Sequence, residues 1–424
     1  MRDNTPPRSP SHDEFDNNDD DAFNINDIIE VIDLDDNTNL EDVADQLIAA
    51  AGGEGEDEEE MDEDEDSEND VTEMAKKVFL DHKGSIFDVA VSPSNLAVTG
   101  GEDDLAHVWE INTGNKVFTC TGHKDSVTCV DFNHDGSLLA TGDMAGYIQV
   151  WNVSSQSKIW EFETGDLNWM KWHHASNVLL SGTNEGELWM WLIPQGNTRT
   201  FPNYGVATNN GGLMKDGKRA VLGYDDGSVR VFDLKTTELA HQFSAGLAQD
   251  SAITSLATHE NNTLIIAGSL DGSARIYNAN NGKVVGTLNC QVNLPSESEG
   301  MSNMEETPSH TVEVVGFCPT LPNIAVTGTL AGFISIWDIN TQQSRHVIAQ
   351  GCGSSQLAWH PTEPILFTAG LDGAVRAYDV RSGQALEKYT GHRQSILAID
   401  VTKDGTALVS TSDDGTARVF SLVS

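Results

Sequence analysis

From Lys76 to the end of the chain, short β-branched and apolar runs alternate with polar turn signals, and this pattern repeats. One stretch, Thr99–Trp109, reads TGGEDDLAHVW, and a similar stretch follows seven more times. The seven copies are Thr141–Trp151, Ser181–Trp191, Leu222–Phe232, Ala267–Tyr277, Thr327–Trp337, Thr368–Tyr378 and Ser410–Phe420. Short apolar runs bounded by Gly, Asn and Asp predict β-strands joined by tight turns.

The spacing of these repeats predicts the architecture. The closing aromatic residues lie 42, 40, 41, 45, 60, 41 and 42 residues apart. A period of about 40–45 residues is typical of a WD-repeat propeller blade of four strands. Five positions before the aromatic residue, seven of the eight repeats carry a glycine, and a two-residue turn there needs a positive φ. We therefore predict an all-β, eight-bladed WD-repeat β-propeller over residues 76–424.

The two ends of the repeat region predict how the ring closes. The eighth repeat ends directly after its third strand and so lacks a fourth one. The segment Lys76–Leu80 is a spare strand ahead of the first blade, and we predict that it pairs into the eighth blade, since this satisfies open sheet edges. The long interval of 60 residues predicts an acidic loop inserted at residues 290–309, before the sixth blade.

Residues 1–75 have a different composition. They contain 29 Asp and Glu residues against only Arg2 and Arg8, a net charge of −27, whereas the remainder carries −15. Between Glu54 and Asp70, thirteen of seventeen residues are acidic. Such a block repels itself and cannot bury enough apolar surface to offset the entropy of ordering, so we predict a disordered acidic tail.

Two short apolar features interrupt the acidic tail. The first lies within Asn26–Asp36 and could add a strand to the sheet edge of a partner. Its candidate partner-binding residues are Ile28, Ile29, Val31, Ile32 and Leu34. The second, at residues 40–48, has helical spacing and could dock in a groove. Local order without a partner is the alternative, and Val31–Asp36 also resembles a SUMO-interacting motif.

Composition limits the functional classes. The net charge of −42 argues against a general nucleic-acid or anionic-membrane binder, because phosphate recognition needs clustered Lys and Arg. The chain has no apolar stretch of membrane-spanning length and no apolar run of a signal peptide near its start. Its five dispersed cysteines fit reduced thiols. We expect a cytoplasmic protein, with the nucleus and the periphery of the cell membrane as alternatives.

Four motifs resemble one known family. They are Ala97–Asp104 (AVTGGEDD), Gly122–Cys129 (GHKDSVTC), Ala140–Met144 (ATGDM) and Gly217–Val221 (GKRAV). Through them the chain resembles the angio-associated migratory cell protein family across all eight blades, and Asp27–Leu34 resembles the short tail motif of that family. The resemblance implies a scaffold linked to cell migration and angiogenesis. More distantly, the chain resembles a yeast eight-bladed chaperone that shields a basic large-subunit ribosomal protein, which implies a role in ribosome biogenesis.

A group of polar residues in the first blade has the composition of a catalytic site. It consists of His82, Thr99, Asp103 and Trp109, and parts of it recur as His123 in the second blade and as His392 and Asp414 in the eighth. In WD-repeat proteins these positions form a hydrogen-bonded chain within a blade, whereas a catalytic triad would occur once. We interpret the group as structural. No phosphate-binding or nucleophile motif is present, so we predict a non-enzyme without cofactor or metal.

The turns between the second and third strands of every blade open on one face of a propeller, and here they are acidic. Six carboxylates remain for the rim after those expected to point inward are set aside. Among them, the candidate partner-binding residues are Glu102, Asp143, Asp225 and Asp413. Such a rim attracts proteins with basic segments, while the plain alternative is turn chemistry and solubility. We expect a monomeric scaffold. The alternative function is a ubiquitin-ligase substrate receptor, because Tyr378–Arg381 resembles its Trp-Asp-x-Arg box.

Overall fold

The computed structural model of the chain describes residues 72–243, 251–292 and 310–422. These residues form 32 β-strands and no helix, arranged as eight four-stranded antiparallel sheets. The predicted all-β, eight-bladed propeller is therefore confirmed.

The strands follow one another in chain order, four to a blade, after a single strand β1 (Lys77–Phe79). Blades one and two are β2 (Ile86–Val91), β3 (Leu96–Gly101), β4 (Ala106–Glu110), β5 (Lys116–Cys120), β6 (Val127–Phe132), β7 (Leu138–Asp143), β8 (Tyr147–Asn152) and β9 (Ser157–Glu163). Blades three and four are β10 (Leu167–Trp172), β11 (Val178–Thr183), β12 (Leu188–Leu192), β13 (Asn197–Thr200), β14 (Thr208–Leu213), β15 (Arg219–Tyr224), β16 (Val229–Asp233) and β17 (Leu239–Phe243). Blades five and six are β18 (Ile253–Thr258), β19 (Leu264–Ser269), β20 (Ser273–Asn278), β21 (Lys283–Asn289), β22 (Val312–Phe317), β23 (Ile324–Thr329), β24 (Phe333–Asp338) and β25 (Gln343–Ala349). Blades seven and eight are β26 (Ser354–Trp359), β27 (Ile365–Gly370), β28 (Val375–Asp379), β29 (Gln384–Tyr389), β30 (Ile396–Val401), β31 (Ala407–Ser412) and β32 (Ala417–Ser421).

The ring is closed on the inside by the first strand of each blade. Each of these innermost strands contacts the innermost strand of the next blade, and β30 contacts β2. The hydrophobic core lies between neighbouring blades. For example, Ile86 and Trp109 of the first blade pack with Val419 of the eighth in one buried cluster.

The turn glycines have the backbone conformation that the sequence predicts. All seven have a positive φ, and they are Gly146, Gly186, Gly227, Gly272, Gly332, Gly373 and Gly415. In the first blade, where no glycine stands, Asp104 adopts φ of 60°. Asp is one of the few residue types other than Gly that tolerate this region, which explains why the repeat pattern continues without its glycine.

The predicted closure is also confirmed. Strand β1 pairs antiparallel with β32, which gives the eighth blade its fourth strand. The Lys76 N–H donates to the Val419 carbonyl oxygen at 2.8 Å, and the side chain of Phe79 stacks on Trp109 with ring centroids 5.0 Å apart. The strand itself is two residues shorter than predicted, since Leu80 is exposed and outside it.

Some predictions concern residues outside the described ranges. The tail with its two apolar features is one of them, and most of the inserted loop at 290–309 is another, since the description stops at Val292 and resumes at His310. The domain boundary at residue 76 stays a prediction. No described segment forms a helix that is long and apolar enough to cross a membrane.

Candidate functional site

One turn residue of each blade defines a common face of the propeller. In every blade, its backbone N–H donates to the carbonyl oxygen of the residue that precedes the innermost strand, at 2.8–3.1 Å. We call these eight residues the apex ring. In blade order they are Glu102, Met144, Asn184, Asp225, Leu270, Leu330, Leu371 and Asp413. Because the hydrogen bond is the same in all eight, the side chains occupy equivalent positions around one face.

Three of the four predicted rim carboxylates belong to the apex ring. Glu102 and Asp225 are exposed, and Asp413 is partly exposed. The Oε2 atom of Glu102 also accepts the Ser85 N–H at 3.1 Å, while no described residue hydrogen-bonds the Asp413 carboxylate. These three carboxylates are therefore presented to solvent on one face, as the sequence predicted.

The fourth predicted rim residue, Asp143, is not on the rim. Its exposed fraction is 0%, and it accepts hydrogen bonds from the N–H groups of Lys124 at 2.9 Å and Tyr147 at 2.8 Å. Burial alone would raise the pKa of Asp143, but these bonds and the one from His123 hold it below the usual value. Asp143 stands one residue before the apex position of its blade, and Met144 occupies that position. The partner-binding assignment of Asp143 is wrong.

The histidine network is present in three blades. His82 contacts Asp103 at 3.0 Å and Thr99 at 2.9 Å through its two ring nitrogens. The equivalent pairs are His123 with Asp143 at 3.3 Å and Thr141 at 2.8 Å, and His392 with Asp414 at 3.0 Å and Ser410 at 2.7 Å. All three imidazoles are fully buried. Each network ties the loop before a blade to the second strand of that blade, which is a structural role.

Trp109 is not part of this network. Its indole N–H has no hydrogen-bond partner among the described residues, and neither has that of Trp151. In the sixth blade, by contrast, the Trp337 indole donates to Thr327 Oγ1 at 2.9 Å. In blades one and two a histidine contacts the equivalent hydroxyl. In blade three both the Trp191 indole and the Ser181 hydroxyl lack a partner among the described residues. The predicted inclusion of Trp109 is wrong, and its role is to pack against Phe79.

The ligand atoms of His82, Asp103 and His107 lie within 4.8 Å of one another, so this group is the described cluster nearest to a metal site. Burial lowers the pKa of His107 to about 4, and the neighbouring His82 contributes to the same shift. Both nitrogens of His82, however, already contact Asp103 and Thr99. We interpret the cluster as a variant of the structural network, and the absence of a metal stays a prediction.

Every innermost strand begins with a β-bulge, and the eight bulges together form a second ring. The strand register shifts between its first and third residues in all eight blades. The bulge residues between them are Phe87, Thr128, Asn168, Asn209, Thr254, Glu313, Ser355 and Leu397. Four of these, Asn168, Asn209, Thr254 and Ser355, donate a side-chain hydrogen bond to a carbonyl oxygen of the next blade. The bulges thus bend the inner strands and join neighbouring blades.

Three further carboxylates on the innermost strands also join blades. Asp88 accepts the Val130 N–H at 2.9 Å, Asp131 accepts the Trp172 N–H at 2.9 Å, and Asp400 accepts the Val91 N–H at 2.7 Å. Burial raises the pKa of Asp88 and of Asp400 to about 7, and that of Asp131 to about 6. These residues and Glu313 carry no recognisable sequence signal, because a single carboxylate in a strand has no distinguishing spacing.

Comparison with known proteins agrees with this architecture. The sequence profile of the WD domain, G-beta repeat family matches residues 75–110, 114–152, 239–278, 344–379 and 383–421. The angio-associated migratory cell protein of Homo sapiens is 42% identical over 346 residues, which cover 81% of this chain and 79% of that protein. The ribosome assembly protein SQT1 of Saccharomyces cerevisiae is 24% identical, covering 83% of this chain and 88% of that protein.

Among solved structures, the fold matches Sqt1 of Chaetomium thermophilum bound to the N-terminus of the ribosomal protein L10. The TM-score is 0.73 at 20% identity, with 83% of this chain and 100% of that chain covered. This likeness shows the shared fold. The identity to the human protein over most of both sequences shows more, and it confirms the resemblance found in the sequence motifs: the chain belongs to the angio-associated migratory cell protein family.

Proposed function

We propose that this chain is a non-catalytic protein-interaction scaffold that holds a basic segment of a partner protein against its apex ring. The observation that carries this proposal is the equivalent placement of Glu102, Asp225 and Asp413 on one face. Carboxylates on rigid turns form charge-assisted hydrogen bonds with Lys and Arg at little cost in ordering. A ring of them also speeds the encounter with a cationic partner.

The candidate partner is the N-terminal segment of ribosomal protein L10. This choice is supported by Sqt1 of Chaetomium thermophilum, which shares the fold and is bound to that segment. It is also supported by the similarity to the ribosome assembly protein SQT1 of Saccharomyces cerevisiae. We propose that the chain acts in the cytoplasm. Links to cell migration and angiogenesis are what the family name suggests, and they would follow from other partners.

The test is the affinity of the full chain for a synthetic L10 N-terminal peptide. The triple variant Glu102→Gln, Asp225→Asn, Asp413→Asn should bind at least about 10-fold more weakly, since charged hydrogen bonds contribute about 1.5–3 kcal/mol each. The control triple, Glu110→Gln, Asp135→Asn, Glu238→Gln, removes the same charge from exposed turns of the opposite face and should bind like the parent. Equal weakening by both triples would leave only a non-specific charge effect and would overturn the proposal.

The ubiquitin-ligase receptor alternative depends on Arg381. The guanidinium of Arg381 is paired with Asp379 two residues earlier, with Nη2 and Oδ2 3.1 Å apart. This contact is ordinary chemistry at the end of a strand. Affinity capture with Arg381→Ala should therefore recover the same proteins as the parent, and selective loss of a ligase adaptor would favour the alternative.

A further inference from the structure

Three consecutive positions of the apex ring are leucines. Leu270, Leu330 and Leu371 belong to blades five, six and seven, with exposed fractions of 51%, 42% and 37%. We call them the leucine arc. Asp225 of blade four and Asp413 of blade eight stand at the neighbouring positions on either side. The apex ring is therefore divided into an apolar arc and acidic flanks rather than being uniformly acidic.

Gly353 shows that two members of the leucine arc, Leu330 and Leu371, approach each other. A Cβ atom built on this glycine would lie 3.0 Å from Leu371 Cδ1 and 3.1 Å from Leu330 Cδ1. One methyl group of each leucine thus approaches the same point next to Gly353. Single exposed leucines are common on protein surfaces, but contiguous apolar patches mark interaction sites.

A carboxylate without a partner among the described residues lies on the innermost strand of blade six, the middle blade of the arc. Glu313 is the bulge residue of blade six, two residues after Thr311, whose carbonyl oxygen accepts the Leu330 N–H at 2.9 Å. It is half-buried, and no described residue donates a hydrogen bond to it or pairs with it. Burial raises the pKa of Glu313. The bulge residues Thr254 and Ser355 of the two neighbouring blades donate to backbone carbonyls, which an ionised carboxylate cannot do.

We propose that the leucine arc and Glu313 together form the docking site for a basic, amphipathic segment of the partner protein. Apolar side chains of that segment cover the arc, one Lys or Arg pairs with Glu313, and further cations meet the flanking Asp225 and Asp413. This inference rests on the proposed function and adds to it that the partner segment carries leucine-like side chains as well as charge. Charge complementarity commits the site to a basic partner, since every charged member of the apex ring is acidic.

The test uses two synthetic peptides of equal length and charge. One contains leucines among its lysines, and in the other every leucine is replaced by serine. The full chain should bind the leucine peptide at least about 10-fold more tightly, because burial of apolar surface is the dominant favourable contribution to most protein association. The double variant Leu330→Asn, Leu371→Asn should remove that preference. Asparagine is the natural apex residue Asn184 of blade three, so the turn tolerates it.

Two further variants complete the test. Leu386→Asn changes an equally exposed leucine on the outer strand β29 and should leave the preference unchanged. Glu313→Gln should weaken both peptides alike. If the parent binds both peptides equally and with salt-sensitive affinity, the docking inference is overturned and the proposed function stands. If neither peptide binds, both fail. If the preference appears only after residues 293–309 are replaced by a short Gly-Ser linker, the chain itself covers the arc, and the proposed partner site is overturned.

Discussion

Glu73 and Arg418 join the two ends of the described chain, with Glu73 Oε2 accepting a hydrogen bond from Arg418 Nε at 3.0 Å. Arg418 also donates to Asp414 Oδ2 at 3.1 Å through Nη1, so the N-terminal segment is attached to the histidine network of blade eight. Together with the pairing of β1 and β32, this contact makes the stability of the ring depend on residues far apart in sequence.

Loss of the closing strand should destabilise the propeller severely. A chain that starts at Gly84 lacks β1 and leaves β32 as an open edge, and it removes the Phe79 ring from Trp109. The single change Phe79→Ala should cost about 3–5 kcal/mol of unfolding free energy. Thermal melting followed by circular dichroism measures the stability of the chain that starts at Gly84 and of the Phe79→Ala variant. A chain that starts at Thr72 is the control. Unchanged melting of the chain that starts at Gly84 would contradict the closure.

Asp143 and Asp225 should respond differently to the same substitution. Asp143→Asn disturbs buried hydrogen bonds to His123 and two backbone amides, so it should cost about 1–3 kcal/mol. Asp225→Asn changes an exposed carboxylate and should stay within about 0.5 kcal/mol of the parent. Denaturant unfolding gives both values. Equal stabilities would show that the buried network contributes little.

The blade-joining carboxylates predict a pH effect. The pKa of Asp88 and of Asp400 is about 7 in the folded chain, above the ordinary 3.8, so the folded state holds protons that the unfolded state has lost. The contribution of each group to stability therefore falls as the pH rises from about 4 to about 7. Relative to the parent, the variant Asp88→Asn, Asp400→Asn should become more stable as the pH rises from 5 to 8. A melting-temperature difference that is constant over this range would contradict the shift.

The acidic tail and the apex ring should affect different rate constants. The acidic charge of residues 1–71 acts by long-range attraction, which salt screens over about 8 Å at physiological ionic strength. Removal of residues 1–71 should therefore slow association with a lysine-rich peptide and flatten its salt dependence, while dissociation stays nearly unchanged. The apex triple should instead speed dissociation. Binding kinetics across a salt series separate the two, and tail deletion that abolishes binding would place the functional site in the tail.

Periodicity predicted the fold, because each blade repeats the same turn glycine and closing aromatic residue. The conformation of Asp104 could be placed by the same register, since it stands where the other blades have glycine. The site was predicted less well. Asp143 stands eight positions before Trp151, whereas every apex residue stands seven positions before its closing aromatic residue. The register therefore places Met144 at the apex, as its backbone hydrogen bond confirms, and Asp143 is buried.

Other parts of the site needed three-dimensional information. The leucines at the apex are single apolar residues in turns. Leu330 and Leu371 share one position of the repeat, but the repeat does not show that their side chains meet. The side chains of Leu330 and Leu371 meet next to Gly353 only in the folded ring. Glu313 was not recognised because a bulge at the start of a strand has no sequence signal of its own.

Zero-length carbodiimide cross-linking of a bound lysine-containing peptide tests the central claim most directly, because it maps which carboxylates touch the partner. The account predicts cross-links at Glu102, Asp225, Asp413 and Glu313, all on the apex face, and none at Glu110, Asp135 or Glu238 of the opposite face. Cross-links confined to the opposite face, or to residues 1–71, would contradict it.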